Sequence, residues 1–120
     1  MAENCYYIGI DIGGTNTKVA QVDANGHIAY LNRVINKEVQ PSLEDYLGHV
    51  VDKVDLIRKA SGQKVNGIGI SSPGLQRSDG NGTLFSVNMA MLNGFNLAEF
   101  FKNRYQLPVK VMNDLVAFSC

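Results

Sequence analysis

The sequence predicts an α/β domain built on a mixed sheet, and three observations carry that expectation. The first third reads as three consecutive strands joined by glycine turns, an antiparallel meander. The remainder alternates strand-like and helix-like periodicities, a pattern that lays helices on the faces of a sheet. Polar residues gather where the strands end, and in open α/β sheets ligands bind outside the carboxyl ends of the strands.

The first strand and its turn are Tyr7-Ile8-Gly9-Ile10-Asp11-Ile12-Gly13-Gly14-Thr15-Asn16-Thr17-Lys18-Val19. Ile8, Ile10 and Ile12 alternate on one face, with Gly9 and Asp11 on the other. Gly13-Gly14 permits a tight turn and leaves no Cβ to block a ligand. Backbone N–H groups of such a turn can form a concave anion site, and Asp11 beside it could hold a cation with its water shell. These residues point to a hairpin for the phosphates of a magnesium–nucleotide complex. A hairpin whose glycines serve only the turn is the plainer alternative; the carboxylate just before the glycines and the polar residues just after them favour phosphate. The stretch is neither a Walker loop nor a dinucleotide fingerprint, because G-x-x-x-x-G-K-[ST] and G-x-G-x-x-G are both absent and a strand follows the turn.

Val19 to Asp23 continues the second strand. Asn25-Gly26 is a hairpin signal, since both positions accept positive φ, and a third strand returns over roughly 28–36. Pro41-Ser42-Leu43-Glu44-Asp45 reads as a helix start with Ser42 as N-cap and Asp45 as an imperfect capping-box partner. Leu43, Leu47, Val50, Val54 and Ile57 recur along one helical face, and Gly62 supplies the stop. His49 lies beside that stripe and is given no chemical role. Val65 to Ser71 is the next strand, its alternating glycines implying close approach of another element, and it runs into the sharp turn Ser72-Pro73-Gly74. A polar loop follows, with a short strand expected over 84–88. Asn96 caps a second helix, Glu99 completes its capping box and Phe95 staples to Phe100. The helix ends near Tyr105, and Leu107-Pro108 leads into a strand from Val109 to Met112. Asn113-Asp114 then stands at a switch from strand to helix.

The chain has 120 residues, enough for one domain with a real core, and 45% hydrophobic with 18% charged residues fits a soluble globular protein. Formal net charge is zero and the basic residues are scattered, so no nucleic-acid partner is expected. No apolar run reaches membrane-spanning length and no signal-peptide pattern opens the chain, so no membrane partner and a cytoplasmic location are expected. Cys5 and Cys120 lie at opposite ends; free thiols are the default and a structural disulfide the alternative. The apolar run Leu115-Val116-Ala117-Phe118 just before the last residue suggests a fragment of a longer protein.

Taken together, Asp11-Ile12-Gly13-Gly14-Thr15-Asn16-Thr17-Lys18, Gly67-Ile68-Gly69-Ile70-Ser71-Ser72-Pro73-Gly74, Asn88 with Gly94-Phe95-Asn96-Leu97, and Leu107-Pro108-Val109-Lys110-Val111-Met112-Asn113-Asp114 resemble the ROK family (repressor, open reading frame, kinase) of sugar kinases and regulators. The resemblance runs from Ile8 to the last residue. It implies an actin-like ATPase (ribonuclease H-like) fold of two lobes, with residues 1–120 forming the N-terminal lobe. It places Asp11, Gly13, Gly14, Thr15 and Asn16 on the phosphate motif, with Asp11 near magnesium. Lys18 lies in the same pattern, or is an exposed strand lysine. Gly74, Asn88, Asn113 and Asp114 fall on the sugar side, with Asp114 as general base.

The implied activity is transfer of the γ-phosphoryl group of ATP to a hexose or N-acylhexosamine, with ATP and Mg2+ as cofactors and the sugar as partner. The alternative is a sugar-sensing transcriptional regulator without kinase activity, against which stands the shortness of the seven residues before Ile8. The family's zinc motif lies past Cys120, a homodimer is possible through the other lobe, and this lobe alone is expected to be inactive. Leu115-Val116, where the family has small residues, and the stretch 75–82 depart from the pattern.

Overall fold

The computed structural model describes residues 5–12, 16–35, 43–71, 75–76, 83–85 and 95–112. The elements are β1 (Tyr6–Ile12), β2 (Asn16–Asp23), β3 (Ile28–Ile35), α1 (Leu43–Ser61), β4 (Ile68–Ser71), β5 (Leu75–Gln76), β6 (Thr83–Phe85), α2 (Leu97–Tyr105) and β7 (Val109–Met112). A five-stranded sheet has the order β3-β2-β1-β4-β7, and β5 and β6 form a separate antiparallel pair. The expected meander is present: β1 pairs antiparallel with β2, and β2 antiparallel with β3. β4 is parallel to β1, and β7 is parallel to β4.

This topology decides where the helices go. The crossovers from β3 to β4 and from β4 to β7 step in the same direction along the sheet. Parallel crossovers are right-handed, so both must cover the same face. The packing agrees. Ile8, Ile10, Ile12, Val19, Ile68 and Ile70 form one core with Tyr46, Leu47, Val50, Val51, Val54 and Ile57 of α1 and Leu97 and Phe101 of α2. Ile10 is fully buried at the centre of this layer. Ile10→Ala is therefore expected to lower unfolding free energy by about 2–5 kcal/mol, through lost transfer energy and an unfilled cavity. Urea denaturation measures it, and a loss below about 1 kcal/mol would show that the layer collapses around the gap.

The helix ends follow local chemistry. The side chain of Asn96 accepts the backbone N–H of Glu99 at 2.9 Å, as the capping pattern predicts, and the Phe95 and Phe100 rings meet at 6.0 Å. Gly62 takes φ +67° and donates its N–H to the Arg58 carbonyl at 3.1 Å, which ends α1. The Ser42 cap falls outside the described residues. Tyr105 ties α2 to α1: its hydroxyl donates to Asp55 at 2.9 Å, and the Arg58 guanidinium lies 5.3 Å from its ring centre. Desolvation, and then the Asp55 carboxylate, push the Tyr105 phenol up to about 12.

Three details differ from expectation. In the turn between β2 and β3, Gly26 has φ +84° whereas Asn25 is not in the left-handed region. Residues 24–27 join the strands, the Gly26 N–H donates to the Asp23 carbonyl at 3.0 Å, and among them only Gly26 takes positive φ. The Asp23 carboxylate holds this loop by accepting the N–H groups of Asn25 and His27, each at 2.9 Å. The His27 bond is the main reason that this carboxyl lies below its ordinary value. Second, β3 carries a bulge: register shifts between Val19 and Gln21, and Tyr30 absorbs the extra residue at φ +56°. Ile28, Tyr30 and Leu31 of this edge strand are exposed. Third, Cys5, buried just ahead of β1, is disulfide-bonded, so the free-thiol default does not hold for it.

Candidate functional site

The site begins with strand register. Asp11 of β1 lies opposite Ser71 of β4, and Ser71 lies opposite Met112 of β7. Three adjacent parallel strands thus end together at one edge of the sheet. In the chain these strands are followed by residues 13–15, 72–74 and 113–114, which lie outside the described residues and to which the sequence motif and the family resemblance assign phosphate and sugar chemistry. β2 starts at the same edge with Asn16, and Ile12 pairs with Thr17 as the last rung before the turn.

Of the residues named from the sequence, Asp11, Asn16 and Lys18 are described. Gly13, Gly14, Thr15, Gly74, Asn88, Asn113 and Asp114 lie outside the described residues. Asp11 is half-buried on the face opposite the helices, because Ile10 and Ile12 on either side of it point into the core. Its cross-strand partner is Lys18, which is exposed, and its other neighbour is Ser71, which is buried. Lys18, Asp11 and Ser71 therefore form a row across β2, β1 and β4 on one face. Asn16 is half-buried at the head of β2. A carboxylate with a hydroxyl on one side and an ammonium on the other offers oxygen ligands to a hard cation and a positive charge to an anion.

A pair that the sequence reading did not assemble lies on the opposite face. Thr17, the second residue of β2, is fully buried and shares a hydrogen bond between hydroxyls with Tyr46 of α1, itself 1% exposed. Burial pushes the Tyr46 phenol well above its ordinary value, so it stays protonated and able to donate. The signal was available: Tyr46 sits three residues after Leu43 on the inward stripe of α1. A tyrosine there needs a partner for its hydroxyl. His49, by contrast, is exposed. No helix is long and apolar enough to cross a membrane among the described residues.

Known proteins share this fold. The ROK family glucokinase from Streptomyces griseus, solved in complex with glucose and AMPPNP, superposes with a TM-score of 0.77 at 28% identity, over 90% of this chain and 33% of that one. A ROK family protein from Streptococcus pneumoniae TIGR4, in complex with sucrose, gives 0.71 at 28% identity, over 91% and 34%. A ROK family transcriptional regulator, a homolog of the E. coli MLC protein, gives 0.77 at 18% identity, over 92% and 28%. The chain thus spans about a third of the length of these solved relatives. A curated protein, the tyrosine–tRNA ligase of Borrelia recurrentis (strain A1), is 30% identical over 95 residues, but these are 23% of its length and bring no activity across. The mixed five-stranded sheet with its helices is the actin-like ATPase fold of the ROK sugar kinases. The ROK family model matches residues 7–120, and the chain belongs to the ROK family.

Proposed function

We propose that this chain is the N-terminal lobe of a two-lobe kinase that transfers the γ-phosphoryl group of ATP to a hexose or an N-acylhexosamine. The observation that carries the reading is the common level at which β1, β4 and β7 end, with Asp11, Ser71 and Met112 in register. Phosphoryl transfer asks a protein mainly for positioning and charge neutralisation, with a carboxylate near the attacking hydroxyl. Strands ending in register support this reading, because the segments assigned to both tasks follow them directly in the chain.

In this reading the backbone N–H groups of Gly13, Gly14, Thr15 and Asn16 hold phosphate oxygens, and Lys18 adds positive charge beside them. The half-buried Asp11 carboxylate with the neighbouring Ser71 hydroxyl fits a hard cation, so Asp11 would hold magnesium through its water shell. A bound magnesium ion supplies neutralisation of phosphate charge. Gly74 approaches the sugar through its backbone, Asn88 and Asn113 hydrogen-bond its hydroxyls, and Asp114 takes the proton of the attacking hydroxyl.

Sugar binding without transfer is the second reading, favoured by the likeness to a ROK regulator at a TM-score of 0.77. A coupled ADP-release assay of the full-length protein, run over a panel of hexoses and N-acylhexosamines, separates the two. ADP release dependent on one sugar is the expected result. Sugar binding by calorimetry with no ADP release from any member of the panel would overturn the kinase reading in favour of a sensor.

A further inference from the structure

We infer that Tyr46 is a positioning residue for the phosphate-binding hairpin, acting through its buried hydrogen bond to Thr17. The inference rests on the kinase reading above and adds a residue to it from outside the strand edge. Ile12 and Thr17 form the last paired rung of the β1–β2 hairpin, so Thr17 anchors the arm along which the chain leaves the turn. Asn16 and Lys18, its chain neighbours, are both assigned to the nucleotide. The anchor is a directional bond between two hydroxyls with 0% and 1% exposure, from residues 29 positions apart.

The neighbouring inward positions, Ile12 and Val19, are apolar, and an apolar pair at 17 and 46 would fill the core without desolvating two hydroxyls. What the hydroxyl pair adds is geometry. A satisfied buried polar contact selects one rotamer and one strand phase, where packing alone tolerates several. Tyr46 lies in the first turn of α1, which packs against β2 and β3 and shares one core with β1 and β4, so the bond fixes the last paired rung of the hairpin to the helix layer. Tyr46 faces the core and not the row of Lys18, Asp11 and Ser71, so its effect on nucleotide passes through Thr17.

The test is Tyr46→Phe in the full-length protein, with initial rates measured against ATP·Mg and against sugar. Loss of one positioning hydrogen bond is expected to raise the KM for ATP about fivefold. The KM for sugar should hold and kcat should stay within about twofold, because a misplaced hairpin weakens phosphate binding alone. Thr17→Val should reproduce the shift, Thr17→Ser should restore the wild-type value, and the double variant Tyr46→Phe/Thr17→Val should shift no further than either single one. Should Tyr46→Phe fail to fold, the Thr17→Val and Thr17→Ser comparison gives the same reading. An unchanged KM for ATP, or equal rises in both KM values, would overturn the positioning role while leaving the kinase reading intact. A wild-type protein that transfers no phosphoryl group to any sugar removes the kinase reading itself, and the inference with it.

Discussion

Asp114→Asn in the full-length protein is expected to abolish sugar phosphorylation while nucleotide binding survives. The substitution keeps the shape of the side chain and its capacity to hydrogen-bond, yet an amide cannot take up the proton of an attacking hydroxyl. A positioned general base contributes about 10²–10⁴-fold to such a step, so kcat should fall by that factor. ATP affinity, measured by calorimetry, should change by less than about twofold, since the proposed phosphate contacts are assigned to residues 13–16. Near-normal turnover would remove Asp114 from the chemistry. Its carboxylate would then be a helix cap placed by chance beside Asn113.

Asp11→Asn should fail differently. Asp11 lies in the row with Lys18 and Ser71, and its assigned partner is a cation reached through water. Carboxylates that hold a metal in this indirect way contribute about 10–100-fold in metal affinity, so the Mg2+ concentration for half-maximal rate should rise by about that factor. Sugar affinity should remain unchanged. The exchange is isosteric and Asp11 is half-buried at a strand end, so the fold should survive. An unaltered Mg2+ dependence would assign the carboxylate to the hairpin turn alone. The two variants therefore separate the corners: one alters Mg2+ dependence, the other turnover at saturating Mg2+.

The sequence reveals this molecule where the physics is local. Alternation of Ile8, Ile10 and Ile12 gives the inward face of β1 because side chains on a strand have a period of two. The stripe through Leu47, Val50, Val54 and Ile57 gives the buried side of α1, and Asn96 with Glu99 gives the start of α2, both from helical spacing alone. Pairing over long separations is another matter. The bulge at Tyr30 depends on how β3 slides along β2, and nothing in residues 28–35 announces it. The β5–β6 pair joins Leu75–Gln76 to Thr83–Phe85, where the sequence suggests a loop followed by a strand over 84–88.

Candidate-site residues divide in the same way. Asp11 and Lys18 are recognisable from their motif, yet that they oppose each other, with Ser71 beside Asp11, follows only from register. The common level of Asp11, Ser71 and Met112 is likewise a property of parallel pairing between segments about sixty and forty residues apart, and parallel ladders leave no local turn to fix them. The bond between Thr17 and Tyr46 joins one residue of the motif to a helix position that periodicity marks as inward without naming its partner.

The most direct measurement is a crystal structure of the full-length protein with the sugar identified in the assay and Mg·AMPPNP. The account predicts one cleft along the ends of β1, β4 and β7, with the terminal phosphates against residues 13–16 and a sugar hydroxyl within hydrogen-bond reach of Asp114. Nucleotide and sugar bound on opposite sides of the sheet, with Asp11 and Asp114 facing different ligands across it, would contradict it.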